Sequence, residues 1–226
     1  MPETKKLFDK VAKNYDLVNT IISFGMHKSW RKKLALEIKE KPYVLDIATG
    51  TGDVAIEIAT HNHLARIIGL DPSLNMLKLG NKKIKKYHLN KKIKLVSGIG
   101  EKLPFNNEEF NYASIAFGIR NTIDYERSLK EILRILRSNG RLLILEFAIP
   151  KNPIFKPVYL FYFNNVMPII GKIFNREEEY KYLASSTINF PQRHRFLQKL
   201  KEAGFQNCKY SELNFGTVIL YTATKY

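Results

Sequence analysis

At 226 residues and 45% apolar composition the chain can bury one substantial core, and its polar, mixed-charge start from Met1 to Asp9 lacks a signal peptide's apolar stretch, so a cytoplasmic protein is expected. The single cysteine, Cys208, excludes an internal disulfide framework, and no Cys/His cluster has the spacing of a zinc site. The formal charge of +16 invites a nucleic-acid partner, but lysine far outnumbers arginine and gathers between Lys78 and Lys94 as a solvated face would, so no nucleic acid is expected.

In chain order, residues 1–40 are expected to form a helical cap of two helices, with Phe8, Val11, Tyr15 and Val18 at helical spacing in the first and Trp30, Leu34 and Ile38 in the second. From 43 to 149 short apolar runs alternate with amphipathic ones, the pattern of βαβ units in a parallel sheet. Strands are predicted at Tyr43–Ala48, Arg66–Leu70, Ile93–Ser97, Tyr112–Phe117 and, after the turn signal Ser138-Asn139-Gly140, Arg141–Phe147. Helices are predicted at Val54–Thr60, Ser73–Tyr87 and Tyr125–Arg137, with Ser73 able to cap the second. Residues 150–190 form a helical lid or insertion. Its aromatic-rich part, Pro153–Phe174, is broken by Pro157, Pro168, Lys156 and Lys172, which argues against a membrane span. Residues 191–226 supply a last helix and a hairpin of Phe205–Glu212 and Phe215–Thr224.

The sharpest local signal is the block from Val44 to Asp53, in which a strand runs through Gly50 and Gly52 directly into a helix. Glycines there permit a tight turn close to a ligand and leave helix N–H groups free. Alone, Gly-x-Gly binds a nucleotide or merely turns the chain, and Ala55 stands where a dinucleotide site prefers a third glycine. Asp71 ends the second strand about 20 residues later, where a carboxylate accepts both hydroxyls of a ribose; the plainer role is to cap the helix at Ser73.

These features, with a parallel sheet that finishes in an antiparallel hairpin and the run from Gly98 to Phe105 after the third strand, resemble the class I S-adenosylmethionine methyltransferases, an α/β, Rossmann-like, doubly wound fold. A narrower resemblance is carried by Phe8-Asp9-x-Val11-Ala12-x-x-Tyr15-Asp16-x-x-Asn19, Ser23-Phe24-Gly25-Met26-His27-x-x-Trp30-Arg31, Phe117-Gly118-Ile119-Arg120-Asn121, Leu145-Glu146-Phe147 and Tyr182-Leu183-Ala184-x-Ser186. On these the chain is similar to the UbiE/MenG family of C-methyltransferases, which methylate the ring precursors of ubiquinone and menaquinone.

The resemblance implies S-adenosylmethionine as methyl donor, a reduced polyprenyl quinol as acceptor with demethylmenaquinol favoured, passing contact with a membrane surface, and a form in which a homodimer stays open. It implies Asp46, Gly50, Thr51, Gly52, Asp71, Ile99, Gly100 and Ala116 at the methyl donor. Where many members carry Asn-Ala, this chain has Ile99-Gly100, and Ala116 replaces a serine, so side-chain hydrogen bonds there are lost. Arg120 and Asn121, at the carboxyl end of the fourth strand, are expected to hold a phenolate, with Tyr15 and Asn19 supporting the acceptor; an ion pair with Asp124 is the alternative for Arg120. His27 is a candidate base, since an imidazole titrates in a useful range; the alternative is that it bonds a neighbouring backbone. An RNA or DNA methyltransferase would carry Asn/Asp-Pro-Pro-Tyr/Phe where this chain has Phe117 to Asn121, and a noncatalytic adenosine-binding subunit would not need both ends of the site.

Overall fold

The computed structural model describes residues 20, 23, 25–173 and 177–226. Its centre is a seven-stranded sheet of β1 (Tyr43–Ile47), β2 (Arg66–Asp71), β3 (Ile93–Ser97), β4 (Phe110–Ala116), β5 (Leu136–Phe147), β6 (Gln206–Leu213) and β7 (Val218–Thr224), in the order β3-β2-β1-β4-β5-β7-β6. The first five are parallel and β7 enters antiparallel between β5 and β6. Strand order reverses at β1, so the loops after β1 and β4 open a crevice at the carboxyl edge, the place where open α/β sheets bind ligands.

Burial on both faces explains why the strands were visible as apolar runs. In β5, Leu142 and Ile144 join one core cluster with Leu129 and Ile132 of α4 (Tyr125–Ile135) and Phe196 and Leu200 of α8 (His194–Glu202). Leu143 and Leu145 join the opposite cluster, with Trp30 and Leu34 of α1 (His27–Leu36), Val54 and Ile58 of α2 (Asp53–His61) and Ile84 of α3 (Leu74–Lys86). Each fully buried Leu or Ile contributes about 1.5–3 kcal/mol. Along α4, the buried residues Ser128, Leu129, Ile132 and Ile135 recur at the three- and four-residue spacing that lays one stripe on the sheet.

One boundary moves. The helix expected to run to Arg137 stops at Ile135, and β5 begins at Leu136 because Leu136 already pairs with Phe110 across a register shift. Asn139 keeps the positive φ of the expected turn at 63°, and its N–H donates to Lys225 O at 2.8 Å. The turn signal thus makes an irregularity within a strand rather than a break before one.

The insertion is helical. It comprises α5 (Phe155–Phe161), a π-helical turn (Tyr162–Val166), α6 (Met167–Ile173) and α7 (Glu177–Asn189). Phe163 and Met167 are buried and pack with Leu183 and Ala184, whereas Ile154, Val158 and Phe161 are exposed. Among the described residues no helix is long and apolar enough to cross a membrane. The first predicted cap helix, with Tyr15 and Asn19, lies outside the described residues.

Candidate active site

Three turns meet at the carboxyl edge. In the first, after β1, Ala48 and Gly50 take positive φ of 53° and 56°, and Gly52, at 80°, stands at the N-cap of α2. Asp53 follows, where a negative charge suits the helix N-terminus. Burial pushes its carboxyl up, but Arg31 at 2.9 Å and Lys83 at 2.8 Å outweigh that and hold it below the usual range. Lys83 also donates to Thr51 Oγ1 at 2.8 Å, so the Thr51 hydroxyl is tied toward α3. Asp46 is 1% exposed beneath the turn and accepts from Thr49 Oγ1 at 2.6 Å and Ser114 Oγ at 2.7 Å. Burial raises its carboxyl to about 6 despite those bonds.

The second turn leaves β2. Asp71 Oδ2 accepts from Gly50 N at 2.9 Å and Oδ1 from Ser73 N at 2.8 Å, so one carboxylate joins two turns. The helix cap is Ser73, whose Oγ accepts from Met76 N at 3.2 Å. Asp71 is therefore not the side chain that caps α3.

The third turn leaves β4. Phe117 has φ 57°, and a Cβ on Gly118 would lie 2.5 Å from Ala48 Cβ, so only glycine lets the β1 and β4 turns touch. Phe117 O accepts from Arg120 Nη1 at 3.0 Å and from Asn121 Nδ2 at 3.1 Å. The Arg120 side chain is 6% exposed, ion-paired to Glu146, bonded through Nε to Ser186 Oγ at 3.3 Å, and lies over the Phe147 ring. Asp124, the expected alternative partner, instead accepts from Arg127 N at 2.9 Å as the cap of α4. The ion-pair partner is thus on β5, across the strand pair, and not on the local helix.

These turns enclose one cleft, walled by Gly50, Asp71, Ile99, Gly100, Ala116 and Asn121 of the expected site residues, together with Leu70, Met76 and Ile123. Asp46, Thr51, Gly52, Arg120 and His27 stand outside that wall. Asp46 and Thr51 are spent on holding the first turn. His27 is buried, with Nδ1 2.6 Å from Ser23 Oγ, a side-chain partner rather than the neighbouring backbone expected as its alternative. Glu101 was legible only as part of a motif; it lines the cleft, 8% exposed, and its Oε1 accepts from Ile123 N at 2.7 Å, linking the loops after β3 and β4. Glu146 gave no local sign of a role, because its partnership is made across strands.

Solved structures share this architecture. A SAM-dependent methyltransferase of Thermotoga maritima aligns with TM-score 0.68 at 19% identity, covering 99% of this chain and 100% of that one. A methyltransferase of Bacillus halodurans aligns with TM-score 0.63 at 19% identity, over 88% and 98%. By sequence the chain is 40% identical over 224 residues to the ubiquinone/menaquinone biosynthesis C-methyltransferase UbiE of Geotalea daltonii, spanning 98% of this chain and 95% of that protein. It is also 40% identical over 223 residues to the demethylmenaquinone methyltransferase of Staphylococcus saprophyticus, over 97% and 94%. The model of the ubiE/COQ5 methyltransferase family matches residues 2–225, and this chain is a methyltransferase belonging to that family.

Proposed function

We propose that this enzyme transfers the methyl group of S-adenosylmethionine to a ring carbon of a reduced polyprenyl quinol, demethylmenaquinol being the favoured acceptor. The observation that carries the reading is that Asp71 and Asn121 wall the same cleft, so a ribose-binding carboxylate and the turn of the acceptor end face one space. The wall suits the methyl donor: Asp71 offers a carboxylate to vicinal hydroxyls, and Leu70, Met76, Ile99 and Ile123 offer apolar surface to a base. When bound, that donor supplies a sulfonium methyl that is already electrophilic. The chain's work is to hold the two partners in line, and positioning alone contributes about 7–11 kcal/mol of barrier reduction.

A quinol ring carbon becomes nucleophilic as its neighbouring hydroxyl loses a proton. The guanidinium of Arg120, the neighbour of Asn121 in the chain, stabilises the oxyanion without taking the proton, which passes to a water molecule and on to solvent. Asn121 Oδ1, buried and without a partner, is an acceptor for a hydroxyl hydrogen. Labelled methyl donor offered with demethylmenaquinol and with a methoxy-polyprenyl-benzoquinol tests the acceptor. Label in the naphthoquinol alone is expected, and label in the benzoquinol alone would reassign the acceptor.

Such an acceptor keeps its tail in a bilayer, and we place the contact on α5. Ile154, Val158 and Phe161 are exposed to 81%, 61% and 64% at helical spacing. Beside them runs an open groove lined by Lys151, Lys156, His194 and Arg195 with Leu160 and Ile188, a surface matched to anionic headgroups over acyl chains.

A further inference from the structure

Arg120 is anchored through two of its three nitrogens. Its Nη1 serves Glu146 and Phe117 O, and its Nε serves Ser186 Oγ. Its Nη2 donates to no protein atom among the described residues. The carboxylate that pins it is singular. Glu146 is 1% exposed near the carboxyl end of β5, where Phe117 N donates to Leu145 O at 2.7 Å and stitches the β4 exit to this strand. Glu146 Oε1 accepts from Arg120 and from Phe147 N at 2.9 Å, while Oε2 is buried without a hydrogen-bond partner. A pair kept for strength alone takes the two-pronged geometry that uses both oxygens and both guanidinium nitrogens. For stability alone, well-packed apolar residues do as well as a buried pair or better. Here Glu146 fixes Nη1 and Ser186 fixes Nε, and Nη2, which lies between them, is the nitrogen without a partner among the described residues.

We propose that Glu146 is a positioning residue for methyl transfer, holding Arg120 so that Nη2 presents its proton to the acceptor oxygen; this rests on Arg120 serving the acceptor, as argued above. Glu146 must be ionised to do so, and burial outweighs Arg120 in lifting its carboxyl above the ordinary range. The other titratable groups whose fields couple to it are Arg120, Tyr182 of α7 and Tyr221 of β7, and burial raises both tyrosines. Glu146 is therefore the carboxyl of this cluster, and burial raises it.

The test compares Glu146→Gln, Glu146→Asp and Arg120→Ala. In Glu146→Gln, kcat is expected to fall roughly 100-fold, the scale of a misplaced catalytic group. Affinity for S-adenosylmethionine should stay within about twofold, since Glu146 is not in the cleft wall. The wild-type decline of kcat toward acid should disappear in the amide and persist in Glu146→Asp, which keeps the charge. Wild-type kcat and pH profile in Glu146→Gln overturn the proposal, as does a parallel loss of melting temperature, methyl-donor affinity and kcat. If the amide does not fold, Glu146→Asp decides: reduced kcat with the acid limb and methyl-donor affinity retained supports the role, and unchanged kcat removes it. Normal turnover by Arg120→Ala would instead sink the acceptor role of Arg120 itself, whatever Glu146 does.

Discussion

Two aspartates of one site illustrate how residue type alone underdetermines a role. Asp71 lines the cleft while its oxygens accept from Gly50 N and Ser73 N, so Asp71→Ala should weaken S-adenosylmethionine binding. Loss of charge-assisted acceptance costs about 1.5–3 kcal/mol, or roughly 10- to 100-fold in Kd. Calorimetric titration of the folded variant reads it directly, and unchanged affinity would leave Asp71 only the task of joining two turns. Asp46 is a buried support whose carboxyl stands at about 6 against 3.8 in the ordinary state. A folded-state value above the unfolded one means that the stability it contributes is fully present below about 4 and is lost as pH rises through about 6. The shift of about two units corresponds to about 3 kcal/mol. Asp46→Asn, which keeps an amide between the rotatable hydroxyls of Thr49 and Ser114, should be more stable than wild type at pH 8 and show a flatter pH dependence. Urea midpoints at pH 5 and 8 check this; identical pH dependence in both proteins would clear Asp46 of the effect.

At the scale of elements, the site is a junction of turns, and its tightest contact is Gly118 against Ala48. Gly118→Ala places a methyl where a rigid Cβ already lies and should destabilise by about 1–3 kcal/mol while loosening methyl-donor binding. Thermal melting and titration of one preparation measure both, and wild-type values would show that the turns separate easily. The strands of this junction were legible because burial on both sheet faces writes continuous apolar runs, and Ser73 was legible as a cap. What sequence could not show was pairing at a distance. Leu136 looked helical because only its partner Phe110 makes it a strand, and the alternative ion-pair partner of Arg120 was sought locally, at Asp124, because Glu146 is distant in the chain. Asp46 and Thr51 fell within the Gly-rich block expected at the ligand, yet the turn's curvature leaves Ile47, Ala48 and Gly50 in the wall and those two behind it.

Across the whole molecule, the proposed bilayer contact falls on one exposed region and the lysine cluster on another. Lys82, Lys85 and Lys86 are exposed on α3, beside the β2–β3 edge, while the exposed apolar stripe of α5 lies on the insertion, next to a basic groove shared with His194 and Arg195 of α8. Replacing Val158 and Phe161 by Ser should reduce flotation with anionic liposomes by roughly tenfold or more at unchanged melting temperature, since each apolar side chain withdrawn from lipid forfeits more than about 1 kcal/mol. Equal flotation of variant and wild type would move the contact elsewhere. The central claim is carbon methylation of a reduced ring, and it is tested most directly by locating the transferred methyl. With methyl-labelled S-adenosylmethionine and demethylmenaquinol kept reduced, the account predicts a product whose label is bonded to a ring carbon, and no labelled product from the oxidised quinone. Label on an oxygen, or equal labelling of the oxidised quinone, would contradict it.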